Sequence, residues 1–261
     1  MLMRKIIFLL LILISFLSFY FVTGPKKSEN YEEHSSVLSI EEPTNEQNRV
    51  DLSHDGQALI VYYLKTENPG SLELINNLDE KLDAKNAKDI HSCSSLVNAG
   101  FYNENNEFVG LFLTEGEVLS NYRKNTLFDG VFSINYLDTP RITRIQPKDS
   151  LRLAVQTGPI LVENSYAVPL KIKNDHKARR VIAAIDGLNE LYFLVIYQKD
   201  SFFSGPELAK LPEIIKLIEQ KTDVNFADAI NLDGGTASTF FHEDEISLNE
   251  LSLVGAFFCL R

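Results

Sequence analysis

Short apolar runs joined by tight turns restrict this chain to folds that contain antiparallel strand pairs. The clearest pair is formed by residues 181–185 and 191–196, which flank the turn sequence Gly187-Leu188-Asn189-Glu190. A second turn of this kind is Thr114-Glu115-Gly116-Glu117. Glycine and asparagine tolerate the positive φ angles that such turns need. The sequence therefore predicts β-hairpins at both positions.

The remaining pattern predicts more strands than helices. The clearest helix is 212–222, because Pro212 suits a first helical turn and isoleucines follow it at helical spacing. A chain of 261 residues, 44% of them hydrophobic, is long enough to bury a core. We therefore expect a mixed α/β (α+β) fold, a single strand-rich domain with antiparallel hairpins and a few helices. Further strands are predicted at 58–64, 96–102, 108–113, 130–136 and 229–232.

The amino terminus carries a different pattern. Residues 6–22 form an apolar run behind Arg4 and Lys5. This run is close to the lower length limit for spanning a bilayer, and no small-residue cleavage motif follows it. We predict that residues 1–22 are an uncleaved signal anchor, with a cleaved signal peptide as the alternative. The polar residues 23–55 are predicted to form a flexible stalk, and residues 56–261 a globular domain outside the cytoplasm, either membrane-anchored or secreted.

Charge and missing motifs exclude several function classes. The formal net charge of −11 argues against non-specific binding to nucleic acid, because such binding needs a basic face. The sequence contains neither a Gly-x-Ser-x-Gly elbow nor a phosphate-binding loop that ends in Gly-Lys-Ser/Thr. The five histidines have no metal-ligand spacing. Cys93 and Cys259 are equally compatible with a disulfide and with two buried free thiols.

The sharpest local feature is Asn231-Leu232-Asp233-Gly234-Gly235. Two glycines after a strand end let the backbone turn tightly and expose N–H groups to a ligand. Asp233 is placed to act as a nucleophile, a base or a metal ligand, and Ser238 and Thr239 could donate to a phosphate or a sugar. The alternative is a plain tight turn whose aspartate caps the next segment.

Three other motifs carry weaker signals. Asn98-Ala99-Gly100-Phe101-Tyr102 predicts a close backbone approach, or else a turn with aromatic core residues. Arg180 lies six residues before Asp186 on an apolar run, where a charge is costly unless it is paired or used. Arg180 suits bidentate phosphate binding, and a structural Arg–Asp pair is the alternative. Gln156-Thr157-Gly158-Pro159 indicates a strand followed by a turn.

In this order and spacing, the four motifs resemble the phosphodiester glycosidase family over roughly two thirds of the chain, from about residue 96 onward. The segment 231–235 is similar to the most specific signature of that family. Thr236 and Ala237 are departures, since the family usually has a third glycine and a first serine there. A side chain at residue 236 would narrow the site or change the substrate.

The resemblance implies hydrolysis of the glycosidic bond of sugar-1-phosphodiesters in glycans or glycolipids. It implies Asp233 as the first choice of catalytic carboxylate and Asp186 as the second. The resemblance leaves open whether a divalent cation, Ca²⁺ or Mg²⁺, is bound between Asp186 and Asp233. The alternative function is a non-catalytic glycan-binding protein of the cell envelope on the same fold. The residues expected to bind substrate are Asn98, Gly100, Arg180, Asn231, Gly234, Gly235, Ser238 and Thr239.

Overall fold

The structure is a computed structural model and describes residues 48–261. The predicted anchor at residues 6–22 and most of the predicted stalk lie outside these described residues. Within the described part of the chain, no helix is long and apolar enough to cross a membrane. The described residues form three antiparallel β-sheets and two short α-helices. The predicted strand-rich fold class is therefore confirmed.

Sheet A has seven strands. They are β1 (Arg49–His54), β2 (Gln57–Thr66), β10 (Ile160–Glu163), β11 (Tyr166–Ala167), β12 (Arg180–Asp186), β13 (Leu191–Gln198) and β14 (Phe226–Asn231). Their order across the sheet is β1-β2-β13-β12-β14-β10-β11. β1 falls within the predicted stalk, but Val50 and Leu52 are buried and the strand pairs with β2. The folded domain therefore begins upstream of residue 56.

Sheets B and C have five strands each. Sheet B contains β3 (Leu72–Asn76), β4 (Ser95–Asn98), β15 (Phe240–His242), β16 (Ile246–Leu248) and β17 (Ala256–Leu260), in the order β16-β15-β4-β17-β3. Sheet C contains β5 (Phe112–Thr114), β6 (Glu117–Ser120), β7 (Gly130–Asn135), β8 (Pro140–Thr143) and β9 (Leu151–Thr157), in the order β6-β5-β9-β7-β8.

The main hydrophobic core lies where the three sheets meet. It joins Tyr62 of sheet A, Val97 of sheet B and Phe132 of sheet C, all of them fully buried. On β12, Val181 and Ala183 face this core, whereas Ile182 and Ala184 face the opposite side of the sheet. Since strand side chains alternate, a strand that is buried on both faces has a continuous apolar sequence.

Two helices cover the outer faces of the sheets. They are α1 (Ala84–Ile90) and α2 (Leu211–Thr222). The helix predicted at 212–222 is confirmed as α2, with Pro212 in its first turn. Ile214, Ile215 and Ile218 of this helix pack on the outer face of sheet A. Three short 3₁₀ segments complete the helical structure of the described residues: Pro69–Ser71, Leu208–Lys210 and Gly235–Ala237.

Both predicted hairpins are present. The turn 187–190 joins β12 to β13, and the turn between β5 and β6 has positive φ angles at Glu115 and Gly116, 51° and 80°. The strand predicted at 96–102 differs from the structure, because β4 ends at Asn98. Beyond that point the chain turns away from sheet B, and Tyr102 forms only an isolated bridge with Phe108.

The two cysteines form a disulfide bond. Cys93 and Cys259 are bonded, with their Cα atoms 5.4 Å apart and a separation of 166 positions in sequence. The bond ties the segment after α1 to β17, the central partner of β3 and β4. Of the two alternatives left open by the sequence, the structure therefore contains the disulfide.

Candidate functional site

The four sequence motifs meet around one loop, residues 232–239, which connects β14 to β15 and is called here the glycine loop. The Asp233 carbonyl accepts a hydrogen bond from the Asn98 side chain at 2.7 Å. The Gly235 N–H donates to the Arg179 carbonyl at 2.9 Å. Just before the loop, the Asn231 side chain donates to the Gly158 carbonyl at 3.0 Å. Residues far apart in sequence are thus in contact.

Asn98 fixes the glycine loop through hydrogen bonds to its backbone. Its side chain is fully buried at the end of β4. The amide nitrogen donates to the Asp233 carbonyl, and the amide oxygen accepts from the Thr239 N–H at 2.9 Å. Both polar atoms are therefore used within the protein. The resemblance implies that Asn98 either binds sugar hydroxyls or orients the catalytic carboxylate. Because its side chain is fully buried and holds the backbone of Asp233, the structure favours the second role.

Asn231 plays a similar part on the other side of the loop. Its amide nitrogen donates to the carbonyls of Gly158 and Leu232. Its Oδ1 atom is buried and accepts no hydrogen bond from any residue in the described range 48–261. The Gly158–Pro159 peptide bond beside it is cis. The motif 156–159, which the sequence marked only as a strand and turn, therefore supports the strand end from which Asp233 projects.

Arg179 is a central residue that the sequence did not single out. Its side chain is fully buried, and Nε donates to the Ser238 hydroxyl at 2.7 Å. Its Nη2 atom donates to the carbonyls of Ser238 and Asn249, and its guanidinium lies over the Phe203 ring at 4.9 Å. Burial lowers the pKa of Arg179 to about 10, so the side chain is charged at neutral pH. Arg179 anchors the glycine loop to the domain.

Arg180 lies next to this anchor and is also buried. Its Nε atom donates to the Pro206 carbonyl at 3.0 Å, and Nη2 donates to the His176 carbonyl. Nη2 also forms an ion pair with the carboxylate of Asp175 at 3.5 Å, so the arginine has an aspartate partner, but this partner is not Asp186. Nη1 is the guanidinium nitrogen on the side of Gly234. A Cβ atom placed on Gly234 would lie 3.9 Å from this nitrogen. One N–H edge of Arg180 therefore lies close to the backbone of the glycine loop, while burial lowers its pKa.

Asp233 carries the titratable group of the loop. The Gly234 N–H donates to its Oδ1 atom at 2.8 Å. Burial nevertheless raises the pKa of Asp233 to about 7, because the carboxylate loses hydration. A carboxyl group with this pKa exchanges a proton readily near neutral pH, as a general acid or base must. Burial, together with the charge of Asp233, raises the pKa of the nearby Tyr102 hydroxyl.

An open cleft of about 630 Å³ lies over Asp233 and Gly234. Phe101 and Tyr102 line one part of it, next to the exposed carboxylate of Glu104. Thr236, which replaces the third glycine of the family pattern, is exposed and also lines the cleft. The sequence had marked the aromatic pair only as part of the Asn98 motif, and it gave no signal for Glu104.

The structure does not place Asp186 at this cleft. Asp186 is paired with Phe226 at one end of β12, whereas Asn231, two residues before Asp233, is paired with Ile182. The six residue steps of β12 that separate Asp186 from Arg180 span about 20 Å at about 3.3 Å per residue. Asp186 instead opens the β12–β13 turn and accepts hydrogen bonds from the N–H groups of Leu188 and Glu190. Since Asp186 and Asp233 lie at opposite ends of the strand pair, they do not share a cation.

The glycines predicted to present N–H groups are already engaged. The Gly234 N–H donates to Asp233 and the Gly235 N–H to Arg179. Gly235 has a φ of +65°, which a glycine adopts without strain. At Gly100, an added Cβ would collide with the Val155 side chain. The sequence predicts a close approach to the backbone at these glycines. In the structure, the atoms that approach them belong to the protein itself.

Ser238 and Thr239 are similarly occupied. Both side chains are fully buried. The Ser238 hydroxyl donates to the Gly235 carbonyl at 2.5 Å and accepts from Arg179. The Thr239 hydroxyl donates to the Leu248 carbonyl at 2.9 Å. The two residues stabilise the shape of the loop and do not line the cleft.

Comparisons with known proteins agree with this arrangement. The model of the phosphodiester glycosidase family matches residues 91–255, which include all four motifs. A search of curated proteins with this sequence finds no match. The matched region is well over half of the 261-residue chain.

Solved structures show the same fold at low sequence identity. The catalytic domain of zebrafish N-acetylglucosamine-1-phosphodiester alpha-N-acetylglucosaminidase, auto-inhibited by its pro-peptide, has a TM-score of 0.65 at 13% identity, over 82% of this chain and 81% of that one. A hypothetical protein from Synechocystis has a TM-score of 0.61 at 12% identity, over 82% and 61% of the two chains. A Burkholderia pseudomallei protein has a TM-score of 0.52 at 10% identity, over 78% and 74%. These likenesses establish the fold.

Proposed function

This chain belongs to the phosphodiester glycosidase family, and from this premise we propose that it hydrolyses the glycosidic bond of sugar-1-phosphodiesters. The observation that carries the proposal is Asp233, a carboxyl group whose pKa is raised to about 7 and which lines an open cleft. Arg180 is held close to the same loop. A proton-exchanging carboxyl group beside a fixed cation suits the cleavage of a bond between a sugar and a phosphate.

In the proposed reaction, the bond between C1 of the sugar and the phosphate oxygen breaks, and the electron pair leaves with the phosphate. Phosphate is a stable anion, so its departure needs less help from an acid than that of an ordinary alcohol. Asp233 in its ionised form takes a proton from the water that adds to C1. Its ionised fraction is substantial at neutral pH because its pKa is about 7.

Arg180 is the proposed partner of the phosphate. Its Nη1 atom lies on the side of Gly234, which lines the cleft, whereas Nη2 forms an ion pair with the Asp175 carboxylate at 3.5 Å. Two of its other nitrogens are fixed by the Pro206 and His176 carbonyls, which hold the guanidinium in one orientation. A preoriented cation stabilises charge that develops on the leaving group without further reorganisation.

We further propose that this chain acts outside the cytoplasm on phosphodiester-linked glycans or glycolipids. The apolar run at residues 6–22 would attach it to the membrane. The disulfide between Cys93 and Cys259 supports an oxidising compartment, because disulfides persist there and are rare in the cytosol.

One observation favours the alternative, a glycan-binding protein without turnover. Thr236 is exposed at the cleft, where most of the family has glycine. Its hydroxyl accepts a hydrogen bond from the Ser252 hydroxyl at 3.0 Å, which fixes the side chain next to the loop. A narrowed cleft would still bind a sugar face on Phe101 and Tyr102 while excluding a productive position for the phosphate.

The deciding experiment is a turnover assay with the full chain on a panel of sugar-1-phosphodiesters, including N-acetylglucosamine-1-phosphate esters and nucleotide sugars. We expect release of free sugar by the parent, and a loss of at least about 1000-fold in kcat for Asp233→Asn, which removes the proton acceptor. Asp228→Asn is the matched control, because Asp228 lies on β14, the strand that precedes the glycine loop, and its pKa is also raised by burial.

Retained activity in Asp228→Asn would show that the loss is specific to Asp233. Equal activity of parent and Asp233→Asn would contradict the assigned role. Sugar binding without release by any folded variant would favour the glycan-binding alternative.

A further inference from the structure

A second cluster of polar side chains lies away from the cleft, on the turn between β15 and β16. His242, Glu243 and Glu245 each offer one ligand atom, and these atoms lie within 4.8 Å of one another. We propose that this turn binds a divalent transition-metal ion of the Zn²⁺ class. The proposal is independent of the glycosidase function, since none of these residues belongs to the four motifs or lines the cleft.

His242 is oriented for this role by a buried residue of sheet B. Its Nδ1 atom is hydrogen-bonded to the Ser95 hydroxyl at 2.7 Å, and Ser95 is buried on β4 opposite His242. The Nε2 atom is left facing Glu245, 3.9 Å from its carboxylate. Metal-bound histidines commonly have one ring nitrogen fixed by a second residue in this way.

Glu245 is oriented by a buried residue of sheet A. The Tyr62 hydroxyl donates a hydrogen bond to its carboxylate, and Tyr62 is fully buried on β2. The cluster therefore rests on two buried hydroxyl groups that come from two different sheets. An acidic turn that is only solvated needs no such support, whereas ligand carboxylates are regularly hydrogen-bonded by a surrounding shell.

The donor set selects the kind of ion. Two carboxylates and one imidazole bring two negative charges within 4.8 Å, and a divalent cation would neutralise them. An imidazole nitrogen favours Zn²⁺ and its neighbours over Ca²⁺ and Mg²⁺, which prefer oxygen ligands only. Three protein ligands leave a fourth position of a tetrahedral ion for water.

The site would stabilise the hairpin that follows the glycine loop. His242 is three residues beyond Thr239, the last residue of that loop, and β15 pairs with β4 along this stretch. A metal that joins the end of β15 to the start of β16 removes conformational freedom from the turn. We therefore expect metal binding to raise the melting temperature of the protein.

The test is a titration of the full chain, stripped with a chelator, with Zn²⁺ in competition with a chromophoric chelator. We expect one tight ion per chain and a loss of at least 10-fold in affinity for His242→Gln, Glu243→Gln and Glu245→Gln. Ser95→Ala is expected to lose about 10-fold while keeping all three ligands. Glu243 is exposed, so its variant keeps the test valid if a more buried variant unfolds.

Asp244→Asn is the matched control, because it removes one charge from the same turn without removing a proposed ligand. Wild-type affinity in this variant would support a defined site. Equal losses in Asp244→Asn and Glu243→Gln would show general attraction by an acidic turn and overturn the proposal. Zn²⁺ binding by His242→Gln as tight as in the parent would overturn it as well.

Discussion

At the residue scale, Asp233 lies at the proposed active site and its partly buried carboxylate also destabilises the folded protein. Its carboxyl group has a pKa of about 7 in the folded protein, against an ordinary value of 3.8. The folded state therefore holds a proton that the unfolded state has already lost between these pH values. The contribution of Asp233 to stability is therefore largest at low pH and is lost as the pH rises to about 7, because the ionised carboxylate is poorly solvated in the loop.

This imbalance predicts that Asp233→Asn stabilises the protein. Asparagine keeps an oxygen for the Gly234 N–H and has no charge to bury. We expect no gain below about pH 4 and a gain of about 1–3 kcal/mol above about pH 7. Thermal melts of the full chain between pH 4 and pH 9 measure this difference. Asp200→Asn, on an exposed turn, should show no such trend, and a gain for Asp233→Asn that is equal at every pH would contradict the argument.

Thr236 is one of the two residues where this chain departs from the family pattern, and glycine at this position should open the cleft. We expect Thr236→Gly to raise kcat/KM for a sugar-1-phosphodiester by about 3- to 10-fold, or about 1 kcal/mol. The added freedom of glycine should cost about 0.5–1 kcal/mol of stability. Thr236→Ser, which keeps the hydroxyl that contacts Ser252, is the control. If Thr236→Gly is slower than the parent, then threonine is an adapted part of the site.

At the element scale, local sequence predicts strands well where both faces are buried. The run at 181–185 lies within β12, and the helix at 212–222 differs from α2 by one residue. Short strands such as β3, β8 and β16 were not predicted. Their formation depends on the strands beside them, because a segment of three to five residues carries little periodic pattern of its own.

Pairing between elements is reinforced by the Cys93–Cys259 disulfide. The bond joins two residues separated by 166 positions in sequence, so its removal gives much of the unfolded chain more conformational freedom. We expect the Cys93→Ser/Cys259→Ser variant to lose about 2–5 kcal/mol of unfolding free energy, measured by denaturant titration. A reductant should destabilise the parent and leave the double variant unchanged. A parent whose thiols react before unfolding would contradict the bonded state, since the chain has only two cysteines.

At the scale of the whole molecule, the proposed location rests on residues 6–22. If this run is an uncleaved anchor, the full chain should sediment with membranes and need detergent for release. Deletion of residues 1–24 should move the protein to the soluble fraction, and Leu10→Arg/Ile12→Arg should weaken membrane retention. Fractionation with mass analysis of the amino terminus measures both. A soluble mature chain that begins after residue 22 would instead favour a cleaved signal peptide.

The three-sheet arrangement also explains why the candidate site was only partly predictable. Asp233 and its glycines were found because a strand end followed by two glycines is a strong local pattern. The family resemblance implied that Asn98 and the glycine loop serve one substrate site, but their direct contact became apparent only in the structure. Arg179 and Glu104 were missed, because burial of an arginine and the lining of a cleft are properties of packing and leave no local pattern.

The sequence by itself determined the strand-rich class, the hairpins, α2 and the four motifs, since periodicity and turn chemistry act over a few residues. Only the tertiary structure decided which motif residues share a site. Arg180 and Asp186 are on one strand, but β12 carries them to opposite ends, so one lies beside the glycine loop and the other caps a hairpin. The structure likewise paired the cysteines and gathered His242 with two glutamates. Distance in space depends on how strands pair and sheets pack, and spacing along the chain does not specify it.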